Sequence, residues 1–177
     1  MYQSRWHTEQ TARHLLLQSF GVACFTRDWN NELFWAHYAK NHTGFCVGFD
    51  EDVLTSWADV VDFGDIAYIN NAQTFKVFFD GERELLRKVV FHKSINWAYE
   101  REFRLLFNRP GAFSLPGGAI REVILGCRAP YELRAKARKH LDDAKGPVIY
   151  QAIESLREYR ISRERIEHNV FTMTSQF

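Results

Sequence analysis

The chain has 177 residues, 46% hydrophobic, 15% aromatic and 25% charged, with a formal net charge of +1. That length and apolar content suit one domain with its own core and exclude a disordered or low-complexity chain. The near-neutral balance excludes global steering toward nucleic acid or an acidic membrane.

No apolar run reaches the roughly 20 residues of a membrane span. The N-terminal residues Met-Tyr-Gln-Ser-Arg-Trp-His lack the apolar core of a secretory signal. Three cysteines, Cys24, Cys46 and Cys127, are odd in number and widely spaced, which predicts buried free thiols in a reducing compartment. The expectation is a cytoplasmic protein.

In chain order, residues 6–19 read as an amphipathic helix with Leu15, Leu16 and Phe20 on its apolar side. Residues 21–26 form a short buried strand. Asp28 or Asn30 caps a helix running to about Asn41, with Leu33, Phe34, His37 and Tyr38 on one face. Residues 44–50 are a second strand, 51–58 a short helix, and 59–69 a third strand. Asp80 caps a helix to about Lys93 with Leu85, Leu86, Val89 and Val90 inward.

The stretch 99–107, Tyr-Glu-Arg-Glu-Phe-Arg-Leu-Leu-Phe, carries the most information. As a strand it alternates faces. Tyr99, Arg101, Phe103, Leu105 and Phe107 share one side; Glu100, Glu102 and Arg104 share the other. Residues 108–118 hold two Pro and three Gly and read as a loop. Residues 120–126 are a strand. Pro130 opens a helix with Leu133, Ala137 and Leu141 as its stripe, ended by Gly146-Pro147. Residues 148–153 and 159–161 are final strands. Strands and helices mix without a βαβ period, so the fold class is α+β. No GxGxxG or Walker-type phosphate loop is present.

Three constellations carry chemistry. The first is Glu100, Glu102 and Arg104. A carboxylate pair can polarise a hydroxyl or stabilise a developing cation. Taken by itself the row suits a solvated strand face with a local ion pair, since surface charge rows are common. The second is the aromatic segment Trp35, His37, Tyr38 and His42, which suits stacking on a planar ring as well as it suits core packing. The third is a basic run, Arg134, Lys136, Arg138, Lys139 and His140, followed by Arg157, Arg160, Arg163 and Arg165. Interleaved acids make it a solvated face. A zinc reading of His37, His42 and Cys46 lacks CxxC or HExxH support, and no metal is expected.

Two blocks together resemble a known family. Cys24-Phe25-Thr26, Trp35-Ala36-His37-Tyr38-Ala39 and His42-x-Gly44-Phe45-Cys46-Val47-Gly48-Phe49-Asp50 form one. Lys93-x-x-x-Trp97-x-Tyr99-Glu100-x-Glu102-x-Arg104 forms the other, followed by Val123-Ile124-Leu125-Gly126. These resemble a bacterial family catalogued as domain of unknown function 2971, over roughly residues 21–126. Its layout is similar to ADP-ribosyltransferase-like folds.

That resemblance implies a mixed, split β-sheet flanked by helices, with NAD as co-substrate and a protein or nucleic-acid acceptor. It implies that Glu102 is the catalytic carboxylate and that Glu100 positions the acceptor. Tyr38, His37, Trp35 and His42 then hold the NAD, and Arg104 orients the glutamates. It also implies an early Arg or His as NAD anchor, for which Arg5, His7, Arg13 and His14 are available. Without one, the chain is a shortened, non-catalytic version. The alternative is a binding or interaction domain in which both clusters are structural, and a metal-dependent hydrolase or nuclease comes third.

Overall fold

The computed structural model describes residues 11, 14, 18–74, 80–139, 146–155 and 160–167. Nine strands and four short helices occur among them, a mixed α+β architecture. In chain order these are β1 (Gly21–Thr26), α1 (Glu32–Tyr38), β2 (Phe45–Phe49), α2 (Glu51–Thr55), β3 (Val60–Asp65) and β4 (Ala67–Ile69). Then come α3 (Glu82–Val90), β5 (His92–Ser94), a 3-10 turn (Ile95–Glu100), β6 (Glu102–Phe107), β7 (Ile120–Leu125), α4 (Tyr131–Arg138), β8 (Val148–Glu154) and β9 (Ile161–Arg165). The chain divides into two compact units. One combines the residues up to Asp28 with Asp52–Pro116; the other combines Trp29–Glu51 with the residues from Gly117 onward.

In the first unit, β6 is the middle strand of a three-stranded antiparallel sheet, β1-β6-β3. A central strand is covered on both sides, and five of the six β6 residues are buried. Its alternation follows the sequence reading from Glu102 onward. Leu106 turns toward α3 and joins Ile66, Leu86, Val90 and Phe91 in the core, with Phe20, Tyr68 and Val89 packed alongside. On the opposite face Phe107 meets Trp57 and Phe113, at ring-centroid separations of 5.2 and 4.5 Å. A small parallel ladder pairs β4 with β5 and places Tyr68 opposite Lys93.

In the second unit the sheet order is β2-β7-β8-β9. One side packs Trp35 and Ala39 of the α1 region against Ile124, Ala152 and Ile161. Leu125, Ala129 and Ile149 form a further cluster with Leu133 and Ala137 of α4.

Several expectations are corrected. The strand predicted from residue 99 begins at Glu102. Residues 95–100 form the 3-10 turn, and Arg101 adopts a left-handed conformation with φ 44°. The α1 cap is Asn31, whose side chain accepts from the N–H groups of Leu33 and Phe34 at 3.0 and 3.3 Å. Its buried face is Trp35 with Ala39, while Leu33, His37 and Tyr38 are exposed. The Trp35 ring wins the core because it is the largest apolar group available and its indole N–H finds the Trp29 carbonyl at 2.6 Å. The helix stops at Tyr38, since Lys40, Asn41 and His42 all have positive φ.

The strand expected over 59–69 is two strands in different sheets, parted where the Ile66 N–H bonds the Glu102 carbonyl at 2.9 Å. Gly81 takes the cap position of α3, and Asp80 instead pairs with Lys88 at 2.8 Å. The thiols are free as expected but not buried: Cys24 is exposed, and Cys46 and Cys127 are half-buried. The helix expected over 6–19 lies largely outside the described residues, as do Leu141, Arg157 and Tyr159.

Truncating Leu106, 2% exposed, removes most of a side chain from the α3–β6 core. Leu106→Ala should cost about 2–5 kcal/mol in urea unfolding. A loss below about 1 kcal/mol would mean that this face is not packed as described.

Candidate functional site

In the first unit two carboxylates converge on one ammonium. The residues Glu100 and Glu102 are 2% and 4% exposed, so the row read as a solvated strand face is buried. Lys93 Nζ donates to Glu100 Oε2 and to Glu102 Oε1, each at 2.5 Å. The second oxygen of Glu102 accepts from Arg104, with Nε and Nη2 both at 2.7 Å. Arg104 Nη1 reaches the Val90 carbonyl at 2.6 Å, a cation placed at the C-terminal end of α3 where the helix dipole favours it.

Local backbone geometry builds this arrangement. The left-handed Arg101 turns the chain sharply between the two glutamates, at a cost of roughly 1 kcal/mol for a non-glycine residue. The turn is held from outside: Thr26 Oγ1 donates to the Glu100 carbonyl at 2.7 Å, and the Arg27 N–H bonds the Arg101 carbonyl at 2.9 Å. Tyr68 Oη accepts from the Glu102 N–H at 2.8 Å. Because Tyr68 and Lys93 are register partners, one short ladder supplies two of the groups that touch Glu102.

Lys93 also lies over the Trp97 ring, 4.9 Å from its centroid, and Trp97 is 42% exposed. Two carboxylates and one aromatic face therefore surround a single cation. Burial pushes the Glu102 carboxyl up, but hydrogen bonds from Arg104 and Lys93 outweigh it and hold the pKa at about 2 against an ordinary 4.5. Burial works against the charge of Lys93, and its hydrogen bonds to Glu100 and Glu102 outweigh that and raise its pKa. At neutral pH Glu102 is an ionised carboxylate at a buried position.

The remaining sequence-derived site residues lie in the second unit. Trp35 is core, 2% exposed. His37 and Tyr38 are exposed, with their rings 6.3 Å apart and Tyr38 against Phe34 at 4.5 Å. His42 is buried, its ring stacked near Trp35 at 6.4 Å. Its Nδ1 has no hydrogen-bond partner among the described residues, an omission that costs about 1–3 kcal/mol in a buried group. Beside it, the Cys127 thiol donates to Glu154 Oε1 at 3.2 Å. Burial first, then that hydrogen bond, pushes the thiol up to about 11.

Of the early anchors, Arg5, His7 and Arg13 fall outside the described residues, and His14 pairs with Gln18 at 2.9 Å. Sequence reasoning assigned no role to Lys93, Trp97 or Tyr68. The spacing Lys93-x-x-x-Trp97-x-Tyr99-Glu100 was the one available signal, and only through the family resemblance. Nothing local pointed to Cys127 with Glu154.

Residues 34–105 match the model of DUF2971, a family described as a protein of unknown function, and both resembling motif blocks fall within or overlap that span. The comparison with curated proteins found no match. The comparison with solved structures found none either. Among the described residues no helix is long and apolar enough to cross a membrane.

Glu102 has a folded pKa below its unfolded one, so it stabilises the fold fully above about pH 4.5, and that contribution is lost as pH falls toward 2. Glu102→Gln should flatten this acid limb in a circular-dichroism titration and cost about 3 kcal/mol at neutral pH, since Lys93 and Arg104 lose their shared partner. Parallel acid limbs in both proteins would show that the cluster is not linked to folding.

Proposed function

We propose that the chain is an ADP-ribosyltransferase-like enzyme that cleaves NAD and transfers ADP-ribose to a protein or nucleic-acid acceptor. The observation that carries this reading is the convergence of Glu100, Glu102 and the exposed Trp97 ring on one cationic position, filled by Lys93. Such a site favours positive charge, and the reaction generates it. Breaking the nicotinamide–ribose bond passes through an oxocarbenium-like ribose, as in glycoside hydrolysis. The bonding pair leaves with nicotinamide, which departs neutral. The acceptor adds to the same carbon and releases its proton to solvent.

In this reading Glu102, ionised and held by Arg104, accepts from the ribose 2′-hydroxyl and stabilises the cation. Glu100 orients the acceptor. Trp97 offers its face to the pyridinium ring. Lys93 withdraws as the dinucleotide enters. The position of Glu102 on the middle strand of one of several sheets agrees with the split-sheet layout that the resemblance implies.

A second reading has its own observation. Both oxygens of Glu102 are already engaged, one by Lys93 and one by Arg104. A saturated ionic centre suits a non-catalytic binding or interaction domain, in which the cluster only fixes the sheet.

NAD labelled in its adenylate moiety separates the two. The enzyme reading expects nicotinamide release and label on an acceptor, with Glu102→Gln slower by at least about 100-fold while still binding NAD. No NAD consumption together with no NAD binding by calorimetry would end that reading and leave the interaction domain.

A further inference from the structure

In the second unit, three side chains of metal-binding type meet from separate segments. His42 comes from the loop after α1, Cys127 from the loop after β7, and Glu154 from the end of β8. Their ligand atoms all lie within 4.8 Å of one another. Cys127 Sγ and Glu154 Oε1 are 3.2 Å apart, and His42 Nδ1 and Glu154 Oε1 are 4.0 Å apart. The latter is too long for a hydrogen bond. It suits two ligands of one ion: bonds of zinc length place tetrahedral donor atoms about 3.3–3.7 Å apart.

The independent sign is His42. The residue is 8% exposed, yet Nδ1 has no hydrogen-bond partner among the described residues and faces Glu154. Buried polar atoms are nearly always satisfied, so an orphaned imidazole nitrogen at such a cluster needs an occupant.

The surrounding backbone holds the loops together. The Arg128 N–H bonds the His42 carbonyl at 3.1 Å, and the Gly126 N–H bonds the Gly44 carbonyl at 2.9 Å. A Cβ on Gly126 would lie 2.1 Å from the His42 carbonyl oxygen, so only glycine admits this approach. Gln151 Nε2 fixes the Gly126 carbonyl at 2.8 Å. The His42 ring is oriented by its stacking near Trp35.

We infer that His42 Nδ1, Cys127 Sγ and Glu154 Oε1 bind one borderline divalent cation of the zinc class. The donor set decides the class: imidazole, thiolate and carboxylate together suit zinc or cobalt, whereas all-oxygen sites suit magnesium or calcium. Binding forms a metal–sulfur bond and releases the Cys127 proton to solvent. Arg128, whose Nη2 lies 3.2 Å from Glu154 Oε1 and whose side chain is half exposed, swings aside. Three protein ligands leave a fourth position for water or an exchangeable ligand. This inference uses none of the groups of the proposed NAD chemistry, Glu100, Glu102, Arg104 and Trp97, and it gives His42 a metal-binding role in place of the NAD contact that the resemblance implied.

The full chain, stripped with chelator and dialysed, is titrated with cobalt(II) and then zinc(II). One equivalent of cobalt should bring a thiolate-to-cobalt charge-transfer band and tetrahedral ligand-field absorption, bleached by zinc, with a proton released. Cys127→Ser should abolish the band, and His42→Gln should weaken binding by more than about tenfold. Cys24→Ser and Cys46→Ser should leave both unchanged. If His42→Gln fails to fold, Cys127→Ser, checked by circular dichroism, decides alone. Absence of a thiolate band in the wild type, or a band that survives Cys127→Ser, would overturn the assignment.

Discussion

The first unit depends on the neutralisation of two buried carboxylates. Glu100 and Glu102, almost without solvent, would repel each other and resist burial if left alone. Lys93 and Arg104 make their position tenable, and the four groups reach beyond themselves. Arg104 ties the β6 strand to the last carbonyl of α3, and Lys93 ties the β4–β5 ladder to the 3-10 turn. Four consecutive elements, α3, β5, the 3-10 turn and β6, are thus cross-linked through a few ångströms of charge. The apolar core around Leu106 lies on the same face of β6, so packing and electrostatics act together there.

The second unit is organised differently. Its sheet is built around apolar packing of Trp35, Ile124, Ala152 and Ile161, and His42, Cys127 and Glu154 sit in loops or at a strand end. There the unusual backbone does the positioning: three successive residues, Lys40 to His42, have positive φ, and Gly126 allows two loops to touch. The two units therefore place chemistry-bearing side chains by opposite means, one by charge pairing on a sheet face and one by strained loops.

Much of the strand pattern was legible. From Glu102 to Phe107 the alternation of charged and apolar residues is a direct reading of the two-residue period, and β2, β7 and β8 begin and end close to their expected limits. What was not legible has definite causes. The left-handed Arg101 carries no glycine or asparagine to announce it, so the strand was extended backward through Glu100. In α1 the spacing picks out the face of Leu33, Phe34, His37 and Tyr38, whereas the size of Trp35 sets the face that is buried. Burial of the glutamates could not be inferred, because Lys93 lies outside the local window and approaches through a parallel ladder. His42, Cys127 and Glu154 are brought together by sheet pairing over more than a hundred residues, which no spacing rule encodes.

A lysine that occupies the centre of its own carboxylate cage has a kinetic meaning. Lys93 is a tethered competitor, present at its cage at an effective concentration on the order of millimolar, so a free cation must outbid a resident that never diffuses away. Acylation of that ammonium would remove its charge and end the competition at once, taking away the cation that Glu100 and Glu102 share and leaving Glu102 to Arg104. The accessibility of the cage to any outside cation is thus set by one side chain, exposed enough to be reached by solvent and short of partners only when it leaves.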